Sequence, residues 1–420
     1  MNAFSLGRRI LKRRNAWVTI LSALGLVSNV FIGREEERIL REGGYLAKAL
    51  EAIIKVGDTV KADRLLDVDT VHVSGVSYLT IGEAGLEYLR DISSSGARFR
   101  VFTTVNPAGV EYGNLNLPIS EHFMRKQMEV VDYLAKMGAS LWLTCAPYEF
   151  IRPQPGSIHA WGESNAVAYI NSVNDAYTEK LPGPFTIIVA IAGKVPRFGL
   201  YVEENRVPRV IVKVNARLNP VKAGLLGRVI AGKLKGEVPL VDYDGWDRQL
   251  LKSFLASYAT YSPTPLAIIK GINPNWSRYA AMMDKPDKLT VDEPELRYEQ
   301  PRDYDALFMG CPHASLEEIM TVVRVLEKHG FRRLRKPLII STSRFVRGMM
   351  NPELVSKLRE ANVILITDTC PMVSPIFNGL GIRSTATPSS KAMFYLPRLV
   401  NVNAMPCSIE DCLEGVLNNT

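Results

Sequence analysis

Cysteine is scarce, with 5 in 420 residues, and the spacing follows no framework pattern. That excludes a small secreted disulfide scaffold and suggests a reducing, cytoplasmic setting. No low-complexity tract is present, and 47% hydrophobic against 22% charged residues excludes a disordered chain. Charge of one sign is also lacking. Lys+Arg number 51 and Asp+Glu 43, a net +8 dispersed along the chain. No basic stripe interleaved with aromatics marks a nucleic-acid groove, so no nucleic-acid partner is expected. A basic rim that draws in an anionic substrate explains the sign equally well. A spanning helix needs about 20 apolar residues, whereas the run Ala16 to Val27, behind Arg8, Arg9, Lys12, Arg13 and Arg14, is shorter. It has a signal peptide's charged and apolar parts, but no clear small-residue cleavage site follows. Residues 1–32 therefore read as an extension, with membrane contact as the alternative.

What is there begins with Gly310-Cys-Pro-His-Ala-Ser315. A short apolar, strand-like run, Tyr304 to Met309, precedes it. A helical pattern follows from Leu316, with Ser315 as N-cap and Glu318 completing a capping box. Cys311 is thus expected where a strand gives way to a loop, ahead of a helix N-terminus that favours a thiolate. The arrangement recurs. Leu141 to Thr144 leads into Cys145-Ala-Pro147, and Val363 to Thr369 leads into Cys370-Pro371. Three buried, unrelated thiols would satisfy the pattern. So would one shared metal site, with three thiolates and one iron of a cluster left open. Cys407 and Cys412 follow no such strand and read as structural.

Strand-loop-helix units repeat over 62–90, 98–137 and from 141 onward, the rhythm of a parallel α/β fold. Residues 33–184 form one expected α/β unit, 185–300 an insertion or middle domain, and 301–420 a further α/β unit. Phe185 to Ile191 and Arg209 to Asn215 read as strands, and Tyr261 to Pro301 as a boundary; no chemistry is assigned to that middle stretch. Ligands collect at strand C-terminal ends in such folds. There the loop of Ser74, Gly75, Val76, Ser77 and Thr80 offers hydroxyls and close backbone approach to an anion. Asn106, before Pro107, is held extended. Glu163, Ser164 and Asn165 open a helix and also suit plain capping. Arg344 is a candidate anion fork, and Lys391 follows a hydroxyl-rich loop.

His72-Val-Ser-Gly-Val-Ser-Tyr78, Thr103-Thr-Val-Asn-Pro107, Cys145-Ala-Pro-Tyr148, Glu163-Ser164, Asn171-Ser172, Gly310 to Ser315, Thr367-Asp-Thr-Cys-Pro371 and Ser389-Ser-Lys391 resemble the large subunit of the aconitase X family. The similarity runs from about Gly33 to the C-terminus. It implies an aconitase-like fold of several parallel-sheet α/β units and an iron–sulfur hydro-lyase. Cys145, Cys311 and Cys370 would hold a 4Fe–4S cluster with one iron free of protein ligands. A small subunit would bring the swivelling domain and the base, so the heterodimer would be the active form and no catalytic residue is assigned within this chain. The reaction implied is dehydration of (R)-5-phosphomevalonate to trans-anhydromevalonate 5-phosphate, a phosphorylated hydroxy acid of an isoprenoid route. A related branch dehydrates cis-3-hydroxy-L-proline, and a non-catalytic iron–sulfur sensor or scaffold is the reading from a different class. Substrate is expected between Gly75, Val76, Ser77 and Asn106, Pro107, with Glu163, Ser164 and Lys391 nearby. One departure stands out: Tyr177 occupies a position where the family pattern leads one to expect arginine.

Overall fold

The computed structural model of the chain describes residues 28–112 and 118–418. The basic and apolar run before residue 28 lies outside them. Three parallel sheets make the architecture. In the first, the Thr70–Val73 strand lies between Phe102–Val105 and His159–Trp161. In the second, the order is Ile268–Ile269, Pro239–Asp242, Val210–Asn215, Asp287–Asp292. In the third, it is Val363–Thr367, Leu338–Thr342, Ala306–Ala314, Ser384–Thr387, Asn403–Pro406. A short antiparallel pair, Leu65–Asp67 with Lys194–Pro196, flanks the first. Helices follow the strands, as parallel pairing demands, and the sheets' β-branched runs are buried.

The helix starts behave as their residues dictate. Ser120 accepts from the Phe123 N–H and opens Glu121–Met137. Ser315 accepts from the Glu318 N–H, and Glu318 returns a bond to the Ser315 N–H at 2.8 Å. Two expectations fail. Phe185 to Ile191 is not a strand but part of the Gly183–Ala192 helix, which packs against the first sheet. Its apolar run is buried nearly all round, so period does not separate helix from strand. Pro184 at its start and left-handed Gly193 (φ 71°) at its end are the helix signals. The stretch from Tyr261 to Pro301 is also no mere boundary: it carries the Asp287–Asp292 strand, paired over six residues with Val210–Asn215.

Candidate active site

The C-terminal ends of the first and third sheets face one another across a cavity of about 380 Å³. From the first sheet come the loops at Ser74 to Val76, at Asn106 and Pro107, and at Gly162 to Ser164. The third contributes Cys311 and Pro312, Cys370 with Met372 and Val373, and Lys391. Cys145 enters from a run, Ser140 to Thr144, tied to the Phe102–Val105 strand at both ends. That run is bent at Leu143 (φ 48°) and is not the regular strand its apolar residues suggest. All three candidate cysteines are therefore brought to one cavity.

Cys311 does not follow the end of a strand; the Ala306–Ala314 strand runs through it. Pairing with Leu338–Thr342 breaks between Met309 and Ala314, where five residues advance against two of the neighbour. The surplus chain bulges out and carries the thiol to the cavity. Gly310 makes this possible. Its φ is 114°, and a Cβ there would sit 2.1 Å from the Ser341 carbonyl oxygen. The His313 N–H donates to Cys145 Sγ at 3.2 Å, tying the Cys311 bulge to the Cys145 thiol. Lys252, from the middle region, donates to the His313 carbonyl at 2.6 Å and to Glu318 at 2.6 Å. Ser389 caps the helix that bears Lys391 and donates to the Cys311 carbonyl.

Burial works against the thiolate that the helix N-terminus was expected to favour at Cys311. Burial pushes Cys145 up to about 12 and Cys311 to about 11, and Cys370 is raised as well. These groups are neutral thiols unless a cation sits beside them. Among the described residues, no three His, Cys, Asp or Glu side chains form a ligand set for one metal ion. Beside the thiols, His313 Nδ1 and Thr369 Oγ1 are buried with no hydrogen-bond partner among the described residues.

Glu163 and Lys391 form an ion pair on the cavity wall, with 13% and 10% of their side chains exposed. Ser164 Oγ also accepts from Lys391, at 3.2 Å. Burial opposes the charge of Glu163, but Lys391, Asn106 and Asn165 outweigh it and hold the carboxyl at about 2. Burial likewise opposes the Lys391 charge, and Glu163 overcomes it, so Lys391 is raised and stays an ammonium. Asn106 Nδ2 donates to Glu163 Oε2 at 2.7 Å, and Asn165 Nδ2 donates to Oε1 at 2.7 Å. Behind Asn106 stands His72, fully buried, with Nε2 2.8 Å from Asn106 Oδ1 and Nδ1 2.8 Å from Thr104 Oγ1. A carboxylate only accepts, so the amide must turn Nδ2 to Glu163 and Oδ1 to His72. Nε2 then carries the proton and Nδ1 accepts from Thr104. Burial keeps this histidine neutral, its pKa lowered to about 4.

Of the expected binding residues, Gly75, Val76, Asn106, Pro107, Glu163, Ser164 and Lys391 line the cavity. Ser77 is not on its wall. It is buried, accepts from the Leu79 N–H as N-cap, and donates to the Val373 carbonyl. Arg344 is engaged elsewhere: its fork holds Asp368 through bonds of 2.8 and 2.7 Å. Cys407 and Cys412 are joined as a disulfide, packed in the third unit's core. Sequence reading missed His72 as a buttress, Lys252 behind the Cys311 bulge, and Lys180, which lines the cavity.

Comparison with known proteins matches the aconitase X first domain over residues 29–204, its second domain over 208–300 and its third over 304–418. The chain is 38% identical to the phosphomevalonate dehydratase large subunit of Aeropyrum pernix, covering 90% of this chain and 99% of that one. It is 36% identical to the large subunit of the same name from Thermococcus kodakarensis, over 87% and 95%. With the cis-3-hydroxy-L-proline dehydratase of Pseudomonas aeruginosa it shares 28%, over 90% of this chain but 68% of that longer protein. The crystal structure of Thermococcus kodakaraensis aconitase X (holo-form) superposes with a TM-score of 0.84 at 34% identity, covering 92% of this chain and all of that one.

Proposed function

This chain belongs to the aconitase X family, and on that premise we propose that it is the large subunit of an iron–sulfur hydro-lyase that dehydrates (R)-5-phosphomevalonate to trans-anhydromevalonate 5-phosphate in the mevalonate route to isoprenoids. One observation carries the reading. Three thiols from separate segments line the same cavity as an ionised Glu163–Lys391 pair. The relatives named large subunits are matched nearly end to end, whereas the hydroxyproline enzyme is matched over two thirds. That difference favours the phosphorylated substrate and a separate small subunit with the swivelling domain.

The residues fit a cluster held by Cys145, Cys311 and Cys370. Buried thiols driven up in pKa become thiolates when a cationic centre sits against them. An N–H to Cys145 Sγ suits a thiolate sulfur. No fourth cysteine lines the cavity among the described residues. A bound 4Fe–4S cluster with three cysteine ligands supplies a Lewis acid for a leaving hydroxyl.

The chain's own residues bind and orient. Glu163, with its pKa near 2, is a poor proton acceptor but a firm hydrogen-bond acceptor. Lys391, kept as an ammonium, presents charge to a substrate carboxylate and does not abstract a proton. His72 fixes the Asn106 amide, which in turn fixes Glu163. Neither titratable group of the pair is suited to take the α-proton, which supports the base that the family resemblance assigns to a small subunit. Anaerobic co-purification with candidate small subunits, followed by assays on (R)-5-phosphomevalonate and cis-3-hydroxy-L-proline, tests the proposal. Turnover of the phosphomevalonate by the pair, and none by the single chain, is the expected result. Robust turnover by the chain alone, or by the pair on the hydroxyproline only, contradicts it.

A further inference from the structure

Among the described residues, three charged side chains line the cavity: Glu163, Lys391 and Lys180. The first two neutralise each other. Lys180 has no carboxylate partner among the described residues. Its ammonium donates to the Ala259 and Ser262 carbonyls, each at 3.3 Å, at the C-terminal end of the Arg248–Tyr261 helix. The neighbouring Glu179 carboxylate is occupied by the Lys180 and Leu200 backbone N–H groups. Lysine has three donors, so two hold the ammonium in place and one is left for a ligand. A helix C-terminus is a favourable seat for that cation.

The Ser74–Gly75 loop belongs to the same wall. A Cβ on Gly162 would lie 2.6 Å from Ser74 Oγ and 3.1 Å from the Leu181 carbonyl oxygen. On Gly183 it would lie 2.4 Å from the Ser74 carbonyl oxygen. Two glycines thus let the Ser74 loop press against residues 181–183, directly after Lys180. Ser74 brings a hydroxyl to the cavity, and Gly75 turns the backbone at φ 72°; the Thr80 hydroxyl donates to the Ser77 carbonyl at 2.9 Å. Lysine, a serine hydroxyl and a tight glycine turn form a phosphate-type set.

We propose that Lys180, with Ser74 and Gly75, forms the subsite for the substrate's phosphate monoester, and that Lys180 sets specificity for a phosphorylated over an unphosphorylated substrate. This deepens the reading of the chain as a phosphomevalonate dehydratase subunit and rests on it. The Glu163–Lys391 side and the three thiols then take the hydroxy acid end.

The test compares the wild-type heterodimer with Lys180→Met and Lys180→Arg. Steady-state kinetics on (R)-5-phosphomevalonate and calorimetric binding of inorganic phosphate are measured for each. Lys180→Met is expected to raise KM about 10- to 150-fold, the loss of one charge-assisted hydrogen bond, with kcat little changed. Phosphate binding should weaken by a similar factor, and Lys180→Arg should keep most of both. An unchanged KM and phosphate affinity in Lys180→Met, with only a lowered melting temperature, overturns the proposal and leaves Lys180 a helix-end cap. Should the wild type not turn over phosphomevalonate, the function reading falls, while phosphate binding in the two variants still decides the subsite.

Discussion

Two buried ion pairs divide this molecule between chemistry and architecture. At the seam of the first and middle sheets, Arg206 and Asp175 meet at 2.8 Å with side chains essentially fully enclosed. All five guanidinium donors are matched by acceptors: the Tyr279 hydroxyl, Asn171 Oδ1, the Leu200 and Asn171 carbonyls, and Asp175. The Tyr177 ring closes the remaining face at 4.0 Å from the guanidinium carbon. In the other region, Lys391 meets Glu163 on a cavity wall, with Ser164 as its other hydrogen-bond partner among the described residues. A closed pair holds elements together; an open one keeps capacity for a ligand. Tyr177 belongs to the closed pair's surroundings. Its ring packs against the Arg206 guanidinium.

Breaking the closed pair should give the largest effect on folding. Arg206→Met strands Asp175 in the core and is expected to cost about 3–5 kcal/mol. Chemical denaturation of the purified chain measures it, and a change below about 1 kcal/mol would remove the distinction between the pairs. Glu163→Gln should do the reverse. It is expected to lower kcat/KM of the heterodimer by about 1.5–3 kcal/mol, roughly 10- to 150-fold, with a smaller change in melting temperature. It should also alter the acid limb of stability. Glu163 has a folded pKa near 2, below its ordinary 4.5. Its contribution is therefore fully present above about pH 4.5 and lost as pH falls toward 2. Melting curves across that window should flatten in Glu163→Gln; identical curves would contradict the assigned pKa. The smallest effect is expected at Ser77. As a helix cap off the cavity wall, Ser77→Ala should cost about 1 kcal/mol of stability and leave kcat/KM unchanged. A kinetic loss without a stability loss would return Ser77 to the site.

Much of the cavity was legible because its residues sit at local landmarks. Cys311 and Cys370 stand before prolines, Glu163 and Lys391 open helices, and Asn106 precedes Pro107. A parallel sheet gathers such points on one edge. What stayed hidden depends on contacts between distant segments. Lys180 meets a helix end about 80 residues on, Lys252 reaches the His313 carbonyl 61 residues on, and Arg206 finds Asn171 and Tyr279 from either side. Nothing local marks such residues. His72 lies within a recognisable motif, yet its buttressing of Asn106 needs the register of two parallel strands, which pairs it with Thr104. The Gly183–Ala192 helix was misread because an apolar run of that length suits a strand or a buried helix equally.

Iron content tests the central claim most directly, that loops from two sheets build one metal-dependent site. Each single-cysteine variant, purified anaerobically with the small subunit, is measured for bound iron and for visible absorption. Cys145→Ala, Cys311→Ala and Cys370→Ala should each lose iron and colour, while Cys407→Ala and Cys412→Ala keep both. Iron retained by Cys145→Ala and lost by Cys407→Ala would contradict the account.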